Sequence, residues 1–285
     1  MIQLSGMPFQ QSNMWPPGSI ENIIVQQMIE DPIVYSYQSF DELSFELELR
    51  KNIILSARAL NQSNPQFAVF ANARSNPQYW YLTSIGGFRL RPDVRPSDAI
   101  RDIYMNSSQY AFECATAMLI IYYHAVLNVM GEFLFNQLFQ GIYLYSWHAD
   151  PDLGITSKYT ERFLPGDIAY FKNPDFNPEA PQWRGENAVI LEDGTYFGHG
   201  IGIGTAEQII GALNQGRIPG SVQSAYLTNL VVRPSFEYLA RISKMQRDEW
   251  PQKSTAAIIQ HNKSSIPYDQ YVFLLNLVYK NKKIS

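Results

Sequence analysis

A long apolar run that begins directly after Cys114 constrains the fold of this chain more than any other feature. Over residues 115–130 almost every side chain is apolar or aromatic, and no helical stripe is left polar. A helix that is hydrophobic on all sides is buried, so we expect a central helix here. Ser107 and Ser108 precede the run, and a serine hydroxyl can accept hydrogen bonds from the N–H groups of a helix's first turn. The pattern predicts a buried helix with Cys114 in its first turns.

Cys114 is the single cysteine of the chain, and its position allows two interpretations. Near the N-terminus of a helix, the positive end of the helix dipole favours the thiolate, which is the nucleophilic form of cysteine. A lone cysteine is also commonly a small buried hydrophobic residue that does no chemistry. The residues around Cys114 leave both interpretations open.

The charge and the cysteine content exclude several classes of protein. The net charge is −4 and the pI is about 5.6, so nothing in the composition indicates binding to nucleic acid or to an anionic membrane. One cysteine forms neither an intramolecular disulfide nor a cysteine-rich metal site, which fits a reducing compartment. The first residues lack the pattern of a signal peptide, and the apolar run is shorter than the roughly 20 residues that span a bilayer. We therefore expect a soluble cytoplasmic protein without a bound metal.

The composition divides the chain into three segments. Residues 1–18 are rich in glutamine, methionine and proline, and we expect an irregular lead-in. Residues 19–243 carry the helix and strand patterns of a catalytic domain. Residues 244–285 hold seven Lys or Arg against three Asp or Glu, a local charge of +4, and we expect a basic C-terminal extension.

Helical patterns dominate the first half of the domain, and strand patterns follow. Ser39 and Glu42 have the spacing of a capping box, as do Thr205 and Gln208. The dipeptide 193–194, Asp-Gly, separates two apolar runs and predicts a tight hairpin. This order predicts an α+β fold in which the buried helix packs on an antiparallel sheet.

A cysteine nucleophile needs an imidazole to share its proton and a third group to orient that imidazole. Of the four histidines, His199 lies in the predicted hairpin between two glycines, which leave room for a substrate or another backbone. His124 follows Cys114 by nearly three helical turns, too far for a hydrogen bond. His148 lies at a strand end, and His261 lies in the basic tail. His199 is therefore the best candidate partner.

Two glutamates are candidates for the acidic group. Glu186 stands just before the first strand of the hairpin, so the turn brings it near His199; an ion pair with Arg184 at the surface is the alternative. Glu113 is adjacent to Cys114, but neighbouring residues on a helix diverge by about 100°. We therefore expect Glu113 on a different helix face, from which it reaches a shared substrate from the side.

Five short segments, each present once, follow one another in a specific order along the chain. They are residues 99–103 (AIRDI), 110–117 (YAFECATA), 170–174 (YFKNP), 182–187 (QWRGEN) and 223–227 (QSAYL). Together they resemble the spore-associated protein-glutamine gamma-glutamyltransferase family of spore-forming bacteria, over about residues 20–243. The resemblance implies a compact papain-like fold of the NlpC/P60 kind. It also implies a catalytic set of Cys114, Glu186 and His199, with Glu113 ranked below these three.

The reaction implied by the resemblance is transamidation between proteins. The Cys114 thiolate attacks the γ-carboxamide of a glutamine, ammonia leaves, and a lysine amine converts the thioester into an isopeptide crosslink. The resemblance further implies no cofactor, independence from calcium, and substrate proteins of the spore coat that carry glutamine and lysine. It implies a monomer made in the cytoplasm of the mother cell that associates with the spore surface.

Four aromatic residues match the hydrophobic tunnel of the family by resemblance: Phe67, Trp147, Tyr170 and Trp183. Aromatic walls exclude water from a thioester and can hold an ammonium group over a ring face. The alternative for each of the four is plain core packing.

The sequence departs from the family pattern in three places. Ser146 stands where relatives carry an acidic residue, the loop over residues 148–160 is longer than expected, and the segment from Lys244 has no counterpart in the shorter relatives. Two other functions stay open on the sequence. One is a cysteine amidase or peptidase with the same nucleophile, and the other is a coat component without enzymatic activity.

Overall fold

The structure is a computed structural model that describes residues 1–9 and 14–245. Its helices are α1 (Ile20–Glu30), α2 (Phe40–Ser63), α3 (Pro96–Met105), α4 (Cys114–Met130), α5 (Glu132–Leu138), α6 (Ala206–Gln215) and α7 (Phe236–Ile242). Its strands are β1 (Ile2–Leu4), β2 (Met7–Pro8), β3 (Tyr35–Tyr37), β4 (Gln66–Phe67), β5 (Trp80–Leu82), β6 (Phe88–Leu90), β7 (Ala111–Phe112), β8 (Tyr143–Leu144), β9 (Thr156–Tyr159), β10 (Ile168–Lys172), β11 (Gly185–Ile190), β12 (Tyr196–Gly198), β13 (Gly202–Gly204) and β14 (Tyr226–Arg233). The helices α1 to α5 thus precede the main group of strands.

The largest sheet of the described residues lies in the second half of the chain. It has six strands in the order β13-β12-β11-β10-β14-β9, and each neighbouring pair is antiparallel. The predicted hairpin joins β11 to β12. Gly194 in its turn has φ of +79°, the left-handed conformation that glycine adopts without a steric penalty. The predicted combination of helices with an antiparallel sheet is confirmed.

Helix α4 forms the centre of the hydrophobic core. Its buried side chains run from Ala115 to Leu127 with one interruption at His124, and it packs between α2 and the strand β11. Each fully buried large apolar side chain contributes roughly 1.5–3 kcal/mol. This packing holds the first turn of α4 in a fixed position against the sheet.

The helix starts follow local capping signals, with one correction. Ser39 caps α2, and Thr205 with Gln208 forms a complete capping box at α6, as predicted. Helix α4 is capped by Glu113, whereas the sequence pointed to Ser107 or Ser108. The serines fall in a separate 3-10 turn, and the short strand β7 then keeps the chain extended until Glu113.

A buried ion-pair network ties α2 to the sheet. Arg50 of α2 is fully buried, and its Nη1 lies 2.9 Å from Oδ1 of Asp167. Arg233 of β14 pairs with the same carboxylate. The guanidinium of Arg50 also bonds Glu46 and lies over the ring of Phe236. The two arginines keep the pKa of Asp167 below its usual value despite burial.

Residues 1–9 form two short strands within the segment 1–18 that was predicted to be an irregular lead-in. Strand β1 pairs in parallel with β3, and Ile2 is buried against α1 and α2. The terminal ammonium group of Met1 donates to the main-chain oxygens of Met28 and Asp31. The sequence pattern missed these strands because each is only two or three residues long. The predicted extension lies almost wholly outside the described residues.

Residues 1–9 and 14–245 contain neither a membrane-spanning helix nor a cluster of metal ligands. No helix there has the length and apolar character needed to cross a membrane. The same part of the chain holds no group of three His, Cys, Asp or Glu side chains placed to bind a metal ion.

Candidate active site

Cys114 is the first residue of α4 and lies where three elements meet. The preceding strand β7 pairs in parallel with β4, so Phe112 lies beside Phe67. Helix α4 then packs on β11, the central strand that carries Glu186. The Cys114 side chain is partly exposed, while most of the helix behind it is buried. The predicted position of the cysteine at the start of a buried helix is confirmed.

Glu113 lies closer to the thiol than the sequence suggested. Its Oε2 accepts a hydrogen bond from the Ala115 N–H at 2.8 Å, and its Oε1 accepts one from the Thr116 N–H at 2.7 Å. The Cys114 sulfur lies 3.6 Å from Oε2 and donates to it. A capping residue is not itself helical, so its side chain folds back over the first turn. The expectation of a separate helix face is therefore wrong, and the carboxylate contacts the sulfur.

Thr116 connects Glu113 to the neighbouring loop. Its hydroxyl donates to Glu113 Oε1 at 2.8 Å and accepts from the main-chain N–H of Ser146 at 3.1 Å. Ser146 has a φ of +52°, in the left-handed region, and the next residue is Trp147. The turn before Trp147 is thus tied to the residue that caps the cysteine helix.

Burial and nearby acids oppose ionisation of the thiol. The pKa of Cys114 is raised well above its usual value, first by burial and then by the charges of Glu186 and Glu113. Hydrogen bonds from Asn187 act in the other direction. Burial also raises the pKa of Glu113, although the bonds from Ala115 and Thr116 favour its charged form. The thiol therefore keeps its proton until a base removes it.

Asn187 is a site residue that the sequence analysis missed. Its side-chain Nδ2 donates to the Cys114 sulfur across 3.5 Å. It follows Glu186 on β11, and successive residues of a strand point to opposite faces of the sheet. That alternation directs Asn187 away from the predicted Glu186, so the residue pattern gave no signal for Asn187, and the packing of α4 on β11 brings it to the sulfur.

Glu186 is buried beside the hairpin rather than paired with Arg184 at the surface. Burial, together with the nearby charge of Glu113, raises its pKa well above the usual value. The main-chain N–H of His199 donates to its carboxyl group, while its Oε1 has no hydrogen-bond partner. Its side chain packs over Gly198, where a Cβ atom would lie 2.8 Å from the Glu186 Cγ. Burial and the nearby charge of Glu113 thus favour the protonated form of Glu186.

His199 lies near Cys114 and Glu186, but its ring bonds to main-chain oxygens. Its Nε2 lies 3.1 Å from the Phe112 carbonyl oxygen, and its ring stacks on the Phe112 ring with 4.6 Å between centroids. Burial lowers its pKa to about 4, although the carbonyls of Phe112 and Gln66 favour the charged form. The imidazole is therefore neutral at pH 7. The Cys114 sulfur donates to Glu113 and accepts from Asn187, whereas the His199 ring bonds to the Phe112 carbonyl.

The other histidines occupy packing positions or fall outside the described residues. His124 stacks on Tyr104 and bonds the Ser56 hydroxyl at 2.8 Å, as expected for a core residue. Its pKa is lowered to about 4 by burial and by the charge of Arg101. His148 is half-buried against Tyr143. His261 lies outside the described residues.

Two of the four predicted tunnel residues lie at the cluster around the cysteine. The ring of Phe67 is 5.8 Å from the ring of His199 and covers Gly200. Tyr170 pairs with Asn187 across β10 and β11. Burial raises the pKa of Tyr170, and the charge of Cys114 adds to this effect.

The other two aromatic residues pack in the hydrophobic clusters. Trp147 is 8% exposed and belongs to the main core. Trp183 packs with Ile209 and Leu213 of α6 and covers Gly216. A cleft of about 410 Å³ opens beside His199 and is lined by Leu60, Asn61, Asn64, Pro65, Gln66, Phe67, Phe197, Gly200, Ile201 and Gly202. This cleft therefore lies on the side of His199 that Phe67 covers.

Comparison with known proteins decides the family. A family model described as protein-glutamine gamma-glutamyltransferase matches residues 1–243. This chain belongs to the protein-glutamine gamma-glutamyltransferase family. The predictions of the family and of a transglutaminase are confirmed, and a coat component without enzymatic activity is no longer a candidate.

Relatives of this transglutaminase cover different lengths of the chain. A protein-glutamine gamma-glutamyltransferase of Halalkalibacterium halodurans is 50% identical over 279 residues, covering 97% of this chain and 98% of the relative. One from Bacillus mycoides is 47% identical over 223 residues, 78% of this chain and 81% of the relative. The longer alignment includes most of residues 244–285. The extension of this transglutaminase thus has a counterpart in the Halalkalibacterium relative.

A solved structure supports the arrangement of the transglutaminase fold. It is described as a transglutaminase from Geobacillus stearothermophilus without C-terminal extension, and it is 50% identical in sequence. The TM-score is 0.70, and the match covers 73% of this chain and 100% of the other. The α+β architecture of this chain is therefore that of a known bacterial transglutaminase.

Proposed function

We propose that this transglutaminase forms ε-(γ-glutamyl)lysine crosslinks between proteins through a thioester on Cys114. The observation that carries this proposal is the contact between the Cys114 sulfur and Glu113 Oε2 at 3.6 Å. It gives a thiol with a raised pKa a base in direct contact. The thiol proton passes to Glu113 as sulfur attacks the glutamine carboxamide.

The remaining proton transfers fall to Glu186 and His199. Burial raises the pKa of Glu186 and so favours its protonated form, which is the form that can supply a proton to departing ammonia. His199 is neutral and can accept a proton from the incoming lysine amine. The second half-reaction then releases Cys114 and leaves an isopeptide bond. Two half-reactions through an acyl-enzyme divide one difficult step into two easier ones.

The site must protect its thioester from water while admitting an amine. Phe67 and Tyr170 contact the residues around Cys114, and we assign them with Trp147 and Trp183 to the walls of a hydrophobic tunnel. Such walls exclude solvent and bind an ammonium group over a ring face.

The arrangement also supports a papain-like fold of the NlpC/P60 type. In it a cysteine begins a buried helix that packs on an antiparallel sheet, with Glu186 in β11 and His199 directly after β12. The chemistry proposed here uses side chains alone, so we propose an enzyme that needs neither a cofactor nor calcium.

The natural setting follows from the resemblance in sequence. We propose that the enzyme is made in the cytoplasm of the mother cell, acts as a monomer, and crosslinks spore-coat proteins through their glutamine and lysine side chains. Its association with the spore surface would bring it to those substrates.

The test is incorporation of a primary amine into a glutamine-bearing protein, with ammonia measured as the second product. We expect Cys114→Ser to abolish both signals and to leave folding unchanged. Free glutamate in place of an isopeptide product would instead identify an amidase or peptidase. Full activity of Cys114→Ser would contradict the proposed nucleophile. The rates of acylation and deacylation are then measured in Glu186→Gln and in Glu113→Gln. Their comparison shows which of the two glutamates transfers the proton in each half-reaction.

A further inference from the structure

Asn187 contacts the reacting sulfur, and the roles proposed above do not use it. Its Nδ2 lies 3.5 Å from the Cys114 sulfur. The side chain is buried, with 6% exposure, so water does not readily replace the amide at this position. A buried amide that donates to a nucleophile has a chemical effect beyond packing.

The strand β11 fixes the position of this amide. Asn187 pairs with Tyr170 in β10, and the Tyr170 ring packs over Gly185 on the same strand as Asn187. Since β11 lies between β10 and β12, its main chain is held from both sides. The donor is therefore in place before substrate binds.

The sulfur has an acceptor and a donor among its described neighbours. It donates to Glu113 Oε2 at 3.6 Å and accepts from Asn187 Nδ2. When the thiol proton moves to Glu113, negative charge develops on a sulfur surrounded by acidic side chains. A donor that is already directed at this atom stabilises that charge without reorganisation.

We propose that Asn187 is a catalytic residue that stabilises the Cys114 thiolate by donating a hydrogen bond from Nδ2. The inference rests on the proposed thioester reaction. The S–H proton passes to Glu113, the sulfur electron pair forms the S–C bond with the glutamine carboxamide, and the carbonyl electron pair moves to oxygen. That pair then restores the carbonyl as the C–N bond breaks, and the nitrogen leaves as ammonia with a proton from Glu186. Asn187 gains and loses no proton in this sequence.

The test measures alkylation of Cys114 by iodoacetamide against pH in the full chain. For Asn187→Ala we expect the alkylation profile to move upward by about one pH unit, which is about tenfold less thiolate at neutral pH. We expect kcat for ammonia release to fall by about 10²–10³-fold with little change in KM for a glutamine peptide. Asn187→Asp keeps the shape of the side chain but places an acid at the sulfur, and we expect a larger upward shift.

Val189→Ala is the matched structural control. Val189 lies two residues further along β11, so it points to the same face, and it belongs to the hydrophobic core. We expect this variant to lose stability and to keep the wild-type alkylation profile. A wild-type profile in both Asn187 variants would overturn the role of Asn187. Normal alkylation of the wild-type protein without any ammonia release from glutamine would instead overturn the transferase function.

Discussion

Glu113 caps the helix that Cys114 begins, and the same carboxylate contacts the Cys114 sulfur. One side chain thus completes the hydrogen bonding of the first turn and provides a base for the nucleophile. Because the cap bonds fix the carboxylate, its place beside the thiol does not depend on substrate.

Replacement of Glu113 by glutamine tests its role as base. Glutamine keeps an oxygen that accepts an amide N–H, but it takes no proton from the thiol. We expect the rate of ammonia release to fall by about 10²-fold. Glu113 acts in its ionised form and burial raises its pKa, so wild-type activity rises with pH through that raised pKa, and the variant loses this rise. Glu207→Gln, at an exposed glutamate in the first turn of α6, should retain the wild-type profile.

The contact between Gly198 and Glu186 predicts a loss of activity in Gly198→Ala. The added Cβ would lie 2.8 Å from Glu186 Cγ, and the buried glutamate has to move. A displacement of about 1 Å in a catalytic group can cost about 10²-fold in rate. Gly211→Ala in α6 meets open space, and there we expect unchanged activity with about 0.5–1 kcal/mol of added stability. A wild-type kcat in Gly198→Ala would show that the position of Glu186 is unimportant.

Asp167 is expected to stabilise the fold without taking part in the reaction. Asp167→Asn removes the carboxylate that Arg50 and Arg233 share, so the buried Arg50 keeps Glu46 as its partner and Arg233 loses its countercharge. Removing one partner of a buried ion pair typically costs about 3–5 kcal/mol, which urea unfolding measures. The solvent-exposed pair of Asp93 with Arg91 is the comparison, and Asp93→Asn should destabilise the fold far less because water screens this pair. An equal decrease in the free energy of unfolding in Asp167→Asn and Asp93→Asn would contradict this prediction.

His124 gives the stability a dependence on pH. Its pKa is about 4 in the folded state and 6.5 in the reference state, so the unfolded chain binds more protons between these values. The free energy of unfolding therefore falls as pH decreases from 6.5 towards 4. We expect His124→Gln to remove up to about 3 kcal/mol of this decrease. The free energy of unfolding is measured at pH 4.5 and at pH 7 for the wild-type protein and for His124→Gln. An equal decrease between the two pH values in both proteins would contradict this role of His124.

Local signals in the sequence predicted much of the fold. The caps at Ser39 and Thr205, the turn at Gly194 and the uniformly apolar α4 each depend on residues within a few positions of one another. These signals place the nucleophile at the start of a buried helix. They also locate the hairpin that carries His199.

The contacts at the sulfur depend on packing between distant segments and were not predictable in this way. Asn187 is 73 residues from Cys114, and only the docking of β11 on α4 brings them together. The cap at Glu113 was missed because the helix starts later than the nearby serines suggested. Hydrogen bonds of His199 to the Phe112 carbonyl likewise require the pairing of β4 with β7.

The distance along the chain between the thiol and the sheet has a consequence during synthesis. A ribosome releases Cys114 well before β11 supplies Asn187, and Arg233 of β14 completes the ion-pair network later still. Domains generally fold as units as they emerge. The surroundings of the thiol are therefore complete only after the chain has been made as far as β14.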